Sequence, residues 1–358
     1  MRLVVLVVSV MLLSACWDKV ELENRAFVSV FGIDTVEEGF LVTVLMPANG
    51  EKSPEYALVA TAAGLYPALQ NINLQSAQNA YYGQTKAIVL GADLLNAPEA
   101  MSQVLDAMER NREISRKVVL LATDGKASDI VKAKLSDGRP LGMYIAATYM
   151  DKGTRLGIAF KKDLEGLTEE LRRNRGLTIP RIQVVDGVVK LEGVALVSTE
   201  PLLLQGWLGA DEVRGLMIAK GRAVGAEVFA DMGGNSVPMR VSKNASKLRL
   251  GQDEHGLYCK IEVSIKGSIE GYYLGGVPSL SQPSATKALA KAYEQEIESQ
   301  VALVVSRLKS TDVDALSMVD HMRKFNYQLF ELHPHITLND IRIEINANVV
   351  IDDIGAIS

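Results

Sequence analysis

The cysteine at position 16 follows a Leu-Ser-Ala sequence that ends an apolar run. A thiol in this position becomes a lipid attachment point when an exported chain is cut immediately before it. Arg2 supplies a short positive region, and residues 3–13 form an apolar segment shorter than the roughly 20 residues of a spanning helix. We therefore predict a lipoprotein signal peptide over residues 1–15 and a diacylglycerol and fatty acyl modification on Cys16. An ordinary secretory signal is the alternative.

The second cysteine, Cys259, has no partner for an intrachain disulfide once Cys16 carries lipid. It lies in residues 257–266, where apolar and polar side chains alternate with the period of a β-strand. This pattern places Cys259 on the buried face of the strand, beside Ile261 and Val263. We interpret it as a small core residue and not as a nucleophile.

The search for a catalytic or metal centre in the sequence is negative. It contains no serine-hydrolase, zinc-protease, phosphate-loop or dinucleotide-binding motif. His333 and His335 flank a proline and could contribute to a metal site, but a loop that leads into the last strand explains them better. Asp34 and Asp124 are expected at turns, where carboxylates accept backbone hydrogen bonds. We predict no catalytic residue, no metal site and no cofactor other than the lipid.

Charge and length narrow the class of protein. The chain has 38 Lys and Arg against 43 Asp and Glu, a formal net charge of −5, which becomes −6 when Arg2 is removed with residues 1–15. Nucleic acid is therefore an improbable partner, because phosphate binding needs a clustered positive surface. Hydrophobic residues make up 48% of the chain, enough for a substantial core. Its length suggests more than one domain.

The first part of the chain predicts a mixed α/β domain over residues 16–187. Residues 25–33 and 40–47 read as two strands of a hairpin, and residues 64–80 as a helix. Further strands are predicted at residues 85–91 and 117–122, with a helix over residues 99–111 between them and another helix through Ile130 and Val131. Asp186-Gly187 predicts a two-residue hairpin turn, and we place the domain boundary there.

The second part, residues 188–358, predicts an antiparallel sheet packed with two long helices. Strand patterns cover residues 193–198, 221–269 and 341–346, a short helix covers residues 211–220, and residues 271–283 read as a loop. One long helix begins near Ser284, and its apolar stripe recurs every three or four residues. A second helix is predicted over residues 313–332. The fold class expected for the whole chain is therefore multi-domain α+β.

Residues 161–181 form the most basic stretch of the chain. The basic residues are Lys161, Lys162, Arg172, Arg173, Arg175 and Arg181. Because Glu165, Glu169 and Glu170 lie among them, a solvated helix and loop explains the stretch. Contact with lipid head groups or with an acidic partner loop is the alternative.

Several segments resemble the Ger(x)C family, the C-subunit lipoproteins of spore nutrient-germination receptors. The resemblance begins with Cys16-Trp17-Asp18, continues through Glu21-Leu22 and reaches Gly32-Ile33-Asp34. Later segments agree in the same order, at residues 83–91, 110–113, 193–196 and 206–221. In the helix where the family commonly carries tryptophan, residues 324–330 carry Phe and Tyr. The resemblance spans nearly the whole mature chain.

This resemblance implies a lipid-anchored, non-enzymatic subunit of a germinant receptor that acts in assembly or signalling. The implied partners are polytopic A-type and B-type subunits, and the implied location is the outer face of the spore inner membrane. The family has no transferable catalytic residues, so Cys16 alone carries over as a functional position. A free-standing lipid-anchored solute-binding protein is the alternative, although the strands of residues 221–269 argue against its two doubly wound lobes. A cell-envelope hydrolase ranks lowest.

Overall fold

The computed structural model describes residues 25–47, 55–149, 161–173, 176–269 and 283–353. In chain order its strands are β1 (Arg25–Phe27), β2 (Val30–Val36), β3 (Gly39–Met46), β4 (Tyr56–Ala62), β5 (Asn79–Tyr81), β6 (Ala87–Leu90), β7 (Val119–Ala122), β8 (Gly176–Val185), β9 (Val188–Ser198), β10 (Leu204–Leu208), β11 (Glu227–Met232), β12 (Asn235–Asp253), β13 (Gly256–Ile269) and β14 (Arg342–Asp353). Its helices are α1 (Leu65–Gln75), α2 (Ala92–Leu95), α3 (Pro98–Arg110), α4 (Ala127–Lys132), α5 (Leu141–Ala147), α6 (Leu164–Arg173), α7 (Ala210–Ala219), α8 (Pro283–Thr311), α9 (Met318–Phe325) and α10 (Tyr327–Leu332).

An eight-stranded mixed sheet forms the centre of the N-terminal part, with strand order β10-β9-β8-β7-β6-β2-β3-β4. The inner pairs β2-β6, β6-β7 and β7-β8 are parallel, whereas the pairs toward both ends of the sheet are antiparallel. The predicted first hairpin is confirmed as β2-β3, but the single strand expected over residues 25–33 is wrong, because residues 25–27 form β1 and pair with β5 in a separate two-stranded sheet. The turn of the hairpin is shorter than expected, because β2 continues through Asp34 as far as Val36.

Helices cover both faces of this sheet, so that the N-terminal part has three layers. Phe31, Ile33 and Leu120 point to the face covered by α1, α3 and α6. Val30 and Leu121 point to the opposite face, which is covered by α4 and α5. Neighbouring residues of one strand therefore enter different cores, as strand geometry requires. The mixed α/β prediction for this part is confirmed.

The hairpin predicted at Asp186-Gly187 is present and joins β8 to β9. Both turn residues have positive φ, 52° for Asp186 and 75° for Gly187, which matches the twist of the flanking strands. The strands on either side of this turn belong to the eight-stranded sheet. A division of the chain into domains at residue 187 stays a prediction.

Strand β9 contributes side chains to three hydrophobic clusters. Val194 and Leu196 pack into the core of the C-terminal part. Ala195 and Val197 pack into one core of the N-terminal part, and Leu191 packs into the other. This strand is therefore a shared element of the two parts.

The C-terminal part is built on a four-stranded sheet of order β11-β12-β13-β14. The α+β class is confirmed, but the expectation of a wholly antiparallel sheet is wrong at one pair, because β14 runs parallel to β13. Residues 270–341, which include α8, α9 and α10, separate these two strands. A connection of this length can return the chain to the starting end of the sheet, which a tight turn cannot do.

The long helix predicted near Ser284 is confirmed as α8. Its apolar stripe is buried throughout, at Leu289, Tyr293, Ile297, Val301, Val304 and Leu308. Helix α7 packs closely on it, because Gly215 lies against the backbone of Gln300: a Cβ at Gly215 would lie 2.3 Å from the Gln300 carbonyl oxygen. This contact fixes the separation of the two helices.

The single helix predicted over residues 313–332 is wrong, since this segment forms the two short helices α9 and α10. The buried Asp314 carboxylate accepts hydrogen bonds from the amides of Met318 and Val319, both at 2.9 Å, and so starts α9 at Met318. Asn326, with φ −144° and ψ 63°, then separates the two helices. The predicted loop of residues 271–283 lies almost entirely outside the described residues.

The free edge of β4 is closed by side chains of α1. Asn71 Nδ2 donates to the Thr61 carbonyl oxygen at 3.1 Å, and Gln75 Nε2 donates to the Val59 carbonyl oxygen at 2.9 Å. These amide groups occupy carbonyls that a further strand would otherwise use. Among the helices that the structure describes, none combines the length and apolar character needed to cross a membrane.

Candidate functional site: a charged cleft between the two parts of the chain

The predicted lipid site, Cys16, lies outside the described residues and stays a prediction. The first described residue, Arg25, is nine positions further along and belongs to β1, which pairs in parallel with β5. Its guanidinium carbon lies 4.7 Å from the centre of the Tyr81 ring, and the Phe27 ring meets the same tyrosine edge to face. Residues 25–27, which follow Cys16 by nine to eleven positions, are therefore packed against the rest of the fold.

Cys259 is buried on β13, as predicted. Burial, and to a smaller extent the negative charge of Asp314, raises the pKa of its thiol to about 12. A thiol that is protonated and shielded from solvent is a poor nucleophile. Its environment agrees with the interpretation of Cys259 as a core residue.

The two histidines considered as metal ligands, His333 and His335, lie in the loop that follows α10, as the sequence indicated. Within the described ranges, no group of three or more His, Cys, Asp or Glu side chains is arranged to hold a metal ion. His335 faces a surface cavity near Arg323 and Phe330. The absence of a metal site in the whole chain stays a prediction.

The expected turn position of Asp34 is wrong. Asp34 lies within β2, is 5% exposed, and accepts hydrogen bonds from the amides of Ala127 at 2.7 Å and Ser128 at 2.9 Å. The carboxylate thus caps the first turn of α4, where both the free amides and the helix dipole favour an anion. Gly32 permits this arrangement, because a Cβ there would lie 2.9 Å from the Ala127 Cβ.

Asp124, by contrast, lies at the bend before α4. One of its carboxylate oxygens is 3.5 Å from Arg181. Of these two carboxylates, only Asp34 caps a helix. The Gly32-Ile33-Asp34 segment therefore has a structural role that its position in the sequence does not reveal.

A cleft of about 860 Å³ lies between the N-terminal and C-terminal parts, and we call it the inter-part cleft. Helix α6 and the residues before it form one side, and β12 with α9 form the other. The end of α7 lies between them. The cleft is lined by Lys161, Lys162, Asp163, Gly166, Glu169, Glu170, Arg173, Ala219, Lys220, Arg222, Ser246, Lys247, Leu248, Arg249, Leu316, Ser317, Asp320, His321, Lys324 and Phe325.

The basic stretch predicted from the sequence contributes only part of this lining. Lys161, Lys162 and Arg173 face the cleft. Arg172 instead forms an ion pair with Glu109. Arg181 packs its guanidinium over the Trp207 ring, 5.4 Å from the ring centre. Arg175 lies outside the described residues.

Other basic residues reach the cleft from distant parts of the sequence. They are Lys220, Arg222, Lys247, Arg249 and Lys324. Sequence reasoning missed them as a group because they lie on three separate elements. One signal was available, because Lys220 lies in the segment of residues 206–221 that resembles the family.

A charged pair lies deep on the α6 side of the cleft. Lys162 has a side chain only 7% exposed, and its Nζ lies 2.5 Å from Glu170 Oε1. Burial lowers the pKa of Lys162, while the Glu170 carboxylate opposes that shift. Burial also lowers the pKa of Lys220 to about 8, because Glu170 and Asp314 only partly offset the loss of water and the repulsion from Lys162 and Arg222. The protonated forms of these two lysines are therefore less favourable in the cleft than in water.

Comparison with known proteins places these features in a family. Residues 18–184 match the family "Spore germination protein N-terminal domain", and residues 192–355 match "Spore germination B3/ GerAC like, C-terminal". Together the two matches cover the described structure from β1 to β14 almost completely.

Whole-chain relatives agree with these matches. The chain is 23% identical over 360 aligned positions to spore germination protein KC of Bacillus subtilis, covering 91% of this chain and 88% of the relative. It is 22% identical to spore germination protein B3 of the same organism, covering 87% and 85%, and 21% identical to spore germination protein GerQC of Bacillus cereus, covering 76% and 75%. The crystal structure of the GerBC protein has the same fold, with a TM-score of 0.62 and 17% identity over 90% of this chain and 96% of that chain. This chain is a member of the Ger(x)C family of spore germination proteins.

Proposed function

We propose that this protein is a lipid-anchored, non-enzymatic subunit of a spore germinant receptor, and that it acts in assembly or signal coupling. The observation that carries the proposal is Cys16 with its Leu-Ser-Ala approach, at the start of a chain that matches both spore-germination domains. The anchor is a diacylglycerol thioether and a fatty acyl group on Cys16. It holds the protein on the outer face of the spore inner membrane, beside polytopic A-type and B-type subunits.

The environment of Cys259 supports a role without covalent catalysis. Its thiol is buried and its pKa is raised to about 12. The charged residues of the inter-part cleft are mostly held in ion pairs, such as Lys162 with Glu170 and Arg173 with Glu169. Such pairs suit recognition better than proton transfer, because each charge is matched by an opposite charge within the cleft.

The lipid anchor can be tested by counting thiols. A purified Cys259→Ala protein should contain no reactive thiol after unfolding if Cys16 is acylated, and one if Cys16 is free. The intact mass should show a chain that begins at residue 16 and carries the acyl groups. Detection of one full equivalent of thiol would contradict the anchor.

The receptor role can be tested by a detergent pull-down from spore membranes with tagged wild type and Cys16→Ala, followed by mass spectrometry. We expect two polytopic membrane proteins to co-purify with the wild type and to be reduced in the variant. Recovery of transporter components alone would favour a free-standing solute-binding lipoprotein instead. A nutrient that binds the isolated protein with micromolar affinity would point the same way.

A further inference from the structure

We propose that the inter-part cleft binds an acidic segment of a partner protein, with carboxylates of that segment placed against Arg222 and Lys247 and an apolar side chain against Phe325. The assignment of the partner as a receptor subunit rests on the proposed function. The chemistry of the bound segment rests on the cleft alone.

The first argument is an excess of positive charge. Eight basic side chains line the cleft against four carboxylates, a difference of four. Each carboxylate already has a basic neighbour: Asp163 pairs with Lys161 at 3.5 Å, Glu170 with Lys162 at 2.5 Å, Glu169 with Arg173 at 2.5 Å, and Asp320 with Lys324 at 2.6 Å. Each carboxylate that lines the cleft is therefore already paired with a basic side chain of the cleft.

The remaining cations differ in how they are held. Arg249 pairs with Glu262 at 2.9 Å on the neighbouring strand. Arg222 and Lys247 are exposed, and neither has a carboxylate partner among the described residues. They come from different elements, the turn after α7 and strand β12, and both line the cleft. Two cations presented from separate elements can bind carboxylates spaced along a peptide.

A second argument comes from polar atoms buried without partners. The Ser246 hydroxyl and the Asn244 side-chain nitrogen have no hydrogen-bond partner among the described residues. They lie two positions apart on β12 and therefore on the same face of the strand. The side-chain oxygen Oδ1 of Asn244 already accepts a hydrogen bond from the Ala223 amide at 2.9 Å. Unpaired donors beside uncompensated cations favour a ligand that is rich in acceptors.

The third argument distinguishes a protein segment from a small anion or a membrane surface. Phe325 lines the cleft with its side chain 75% exposed, and α10 carries Tyr327 and Leu332, which are 56% and 72% exposed. Exposed aromatic side chains beside Arg are typical of protein interfaces. The cleft is concave, and Lys220 is partly buried within it, so a flat layer of lipid head groups would reach its outer residues only.

The partly buried amine of Lys220 adds a dependence on pH. Its pKa is lowered to about 8 because the loss of water around its charge, together with Lys162 and Arg222, outweighs the opposing effect of the Glu170 and Asp314 carboxylates. A bound carboxylate would stabilise the protonated form, so binding takes up a proton when the pH is above that value. Affinity should therefore decrease as the pH rises above 8.

The test uses the full-length protein in spore membranes, with a photo-crosslinking amino acid in place of Phe325 and, as a matched control, in place of Leu74. Leu74 is 85% exposed and lies outside the cleft. We expect the probe at position 325, and not the probe at position 74, to label one segment rich in Asp and Glu, identified by peptide sequencing. Labelling of phospholipid, of a neutral or basic segment, or of no protein would overturn the proposal.

Charge variants test whether the cations hold that segment. Arg222→Gln with Lys247→Gln should lower the crosslinking yield roughly fivefold to tenfold. Lys117→Gln with Lys190→Gln removes the same charge from exposed positions outside the cleft and should leave the yield unchanged. Equal losses in both variants would overturn a specific role for the cleft.

The two proposals fail in different ways. An acidic segment labelled on a protein other than a receptor subunit would support the cleft proposal and contradict the receptor role. Co-purifying receptor subunits with a neutral segment labelled at position 325 would support the receptor role and overturn the cleft proposal.

Discussion

The Glu294 carboxylate accepts a hydrogen bond from the backbone amide of Val349 at 3.1 Å, 55 residues further along the chain. One helical turn later, Glu298 accepts from the Ala347 amide at 3.0 Å. Four residues of helix and two residues of strand both span about 6 Å, so the two spacings match. Helix α8 thus closes the free edge of β14 with acceptors, as α1 closes the edge of β4 with donors. Both devices block pairing with a foreign strand.

Removal of the acceptor at Glu294 should destabilise the protein. Glu294→Ala leaves the Val349 amide unpaired, and we expect the free energy of unfolding to fall by about 1–2 kcal/mol. Glu294→Gln keeps an oxygen acceptor and should remain close to the wild type. Urea unfolding followed by circular dichroism measures both. Equal losses in the two variants would show that charge, and not the hydrogen bond, is responsible.

Loss of the Asp34 carboxylate should loosen α4. Asp34→Ala removes acceptors from two amides at once, for an expected cost of about 1–3 kcal/mol. Asp34→Asn keeps one oxygen and should show an intermediate cost. Hydrogen exchange at Ala127 and Ser128 should accelerate more than exchange in α3. Unchanged protection at these two amides would contradict the capping role.

Gly215 should not tolerate a methyl group. In Gly215→Ala the new Cβ meets the Gln300 carbonyl oxygen at 2.3 Å, so that α7 and α8 must separate. We expect a loss of about 1–3 kcal/mol. Gly206→Ala is the control, because its Cβ first meets the Thr311 methyl group at 3.7 Å. Thermal unfolding of the two variants should separate them clearly, and similar midpoints would refute the tight contact.

Lys220 should make stability depend on pH in the alkaline range. Its folded pKa of about 8 lies below its ordinary value of 10.5, so below pH 8 both states are protonated and the folded state bears the cost of the buried charge. Between these values the unfolded state holds more protons, and the contribution of Lys220 to stability rises with pH.

The matched comparison is Lys220→Met against Lys190→Met. The stability difference between wild type and Lys220→Met should move in favour of the wild type by about 2–3 kcal/mol from pH 8 to pH 10.5. Lys190 is exposed, and its variant should show no such trend. A flat difference for Lys220→Met would mean that its amine is well solvated in the folded protein.

Local patterns in the sequence predicted the elements whose causes are local. The stripe from Leu289 to Leu308 predicted α8, and Asp186-Gly187 predicted the β8-β9 turn. The role of Asp34 could not be read in this way, because the amides that it caps are 93 and 94 residues away. The break after Asn326 was also missed, because the apolar pattern continues across it.

The candidate site was predicted only in part for a similar reason. The stretch around Lys161 and Lys162 was recognised as basic, whereas Lys247 joins it through the packing of β12 against the N-terminal part. No spacing in the sequence connects residues 85 positions apart. Lys220 lies in a segment that resembles the family, but its lowered pKa depends on burial that only the folded chain creates.

Strand β9 has a consequence for cooperativity. Because its successive side chains enter different cores, neither part can lose its packing while β9 keeps a native surface on both sides. A disturbance in the C-terminal core that rotates Val194 or Leu196 must also displace Ala195 and Val197. The molecule should therefore unfold in a single calorimetric transition. A displacement of β9 caused in one part would likewise be transmitted to the other part, because its side chains pack into both.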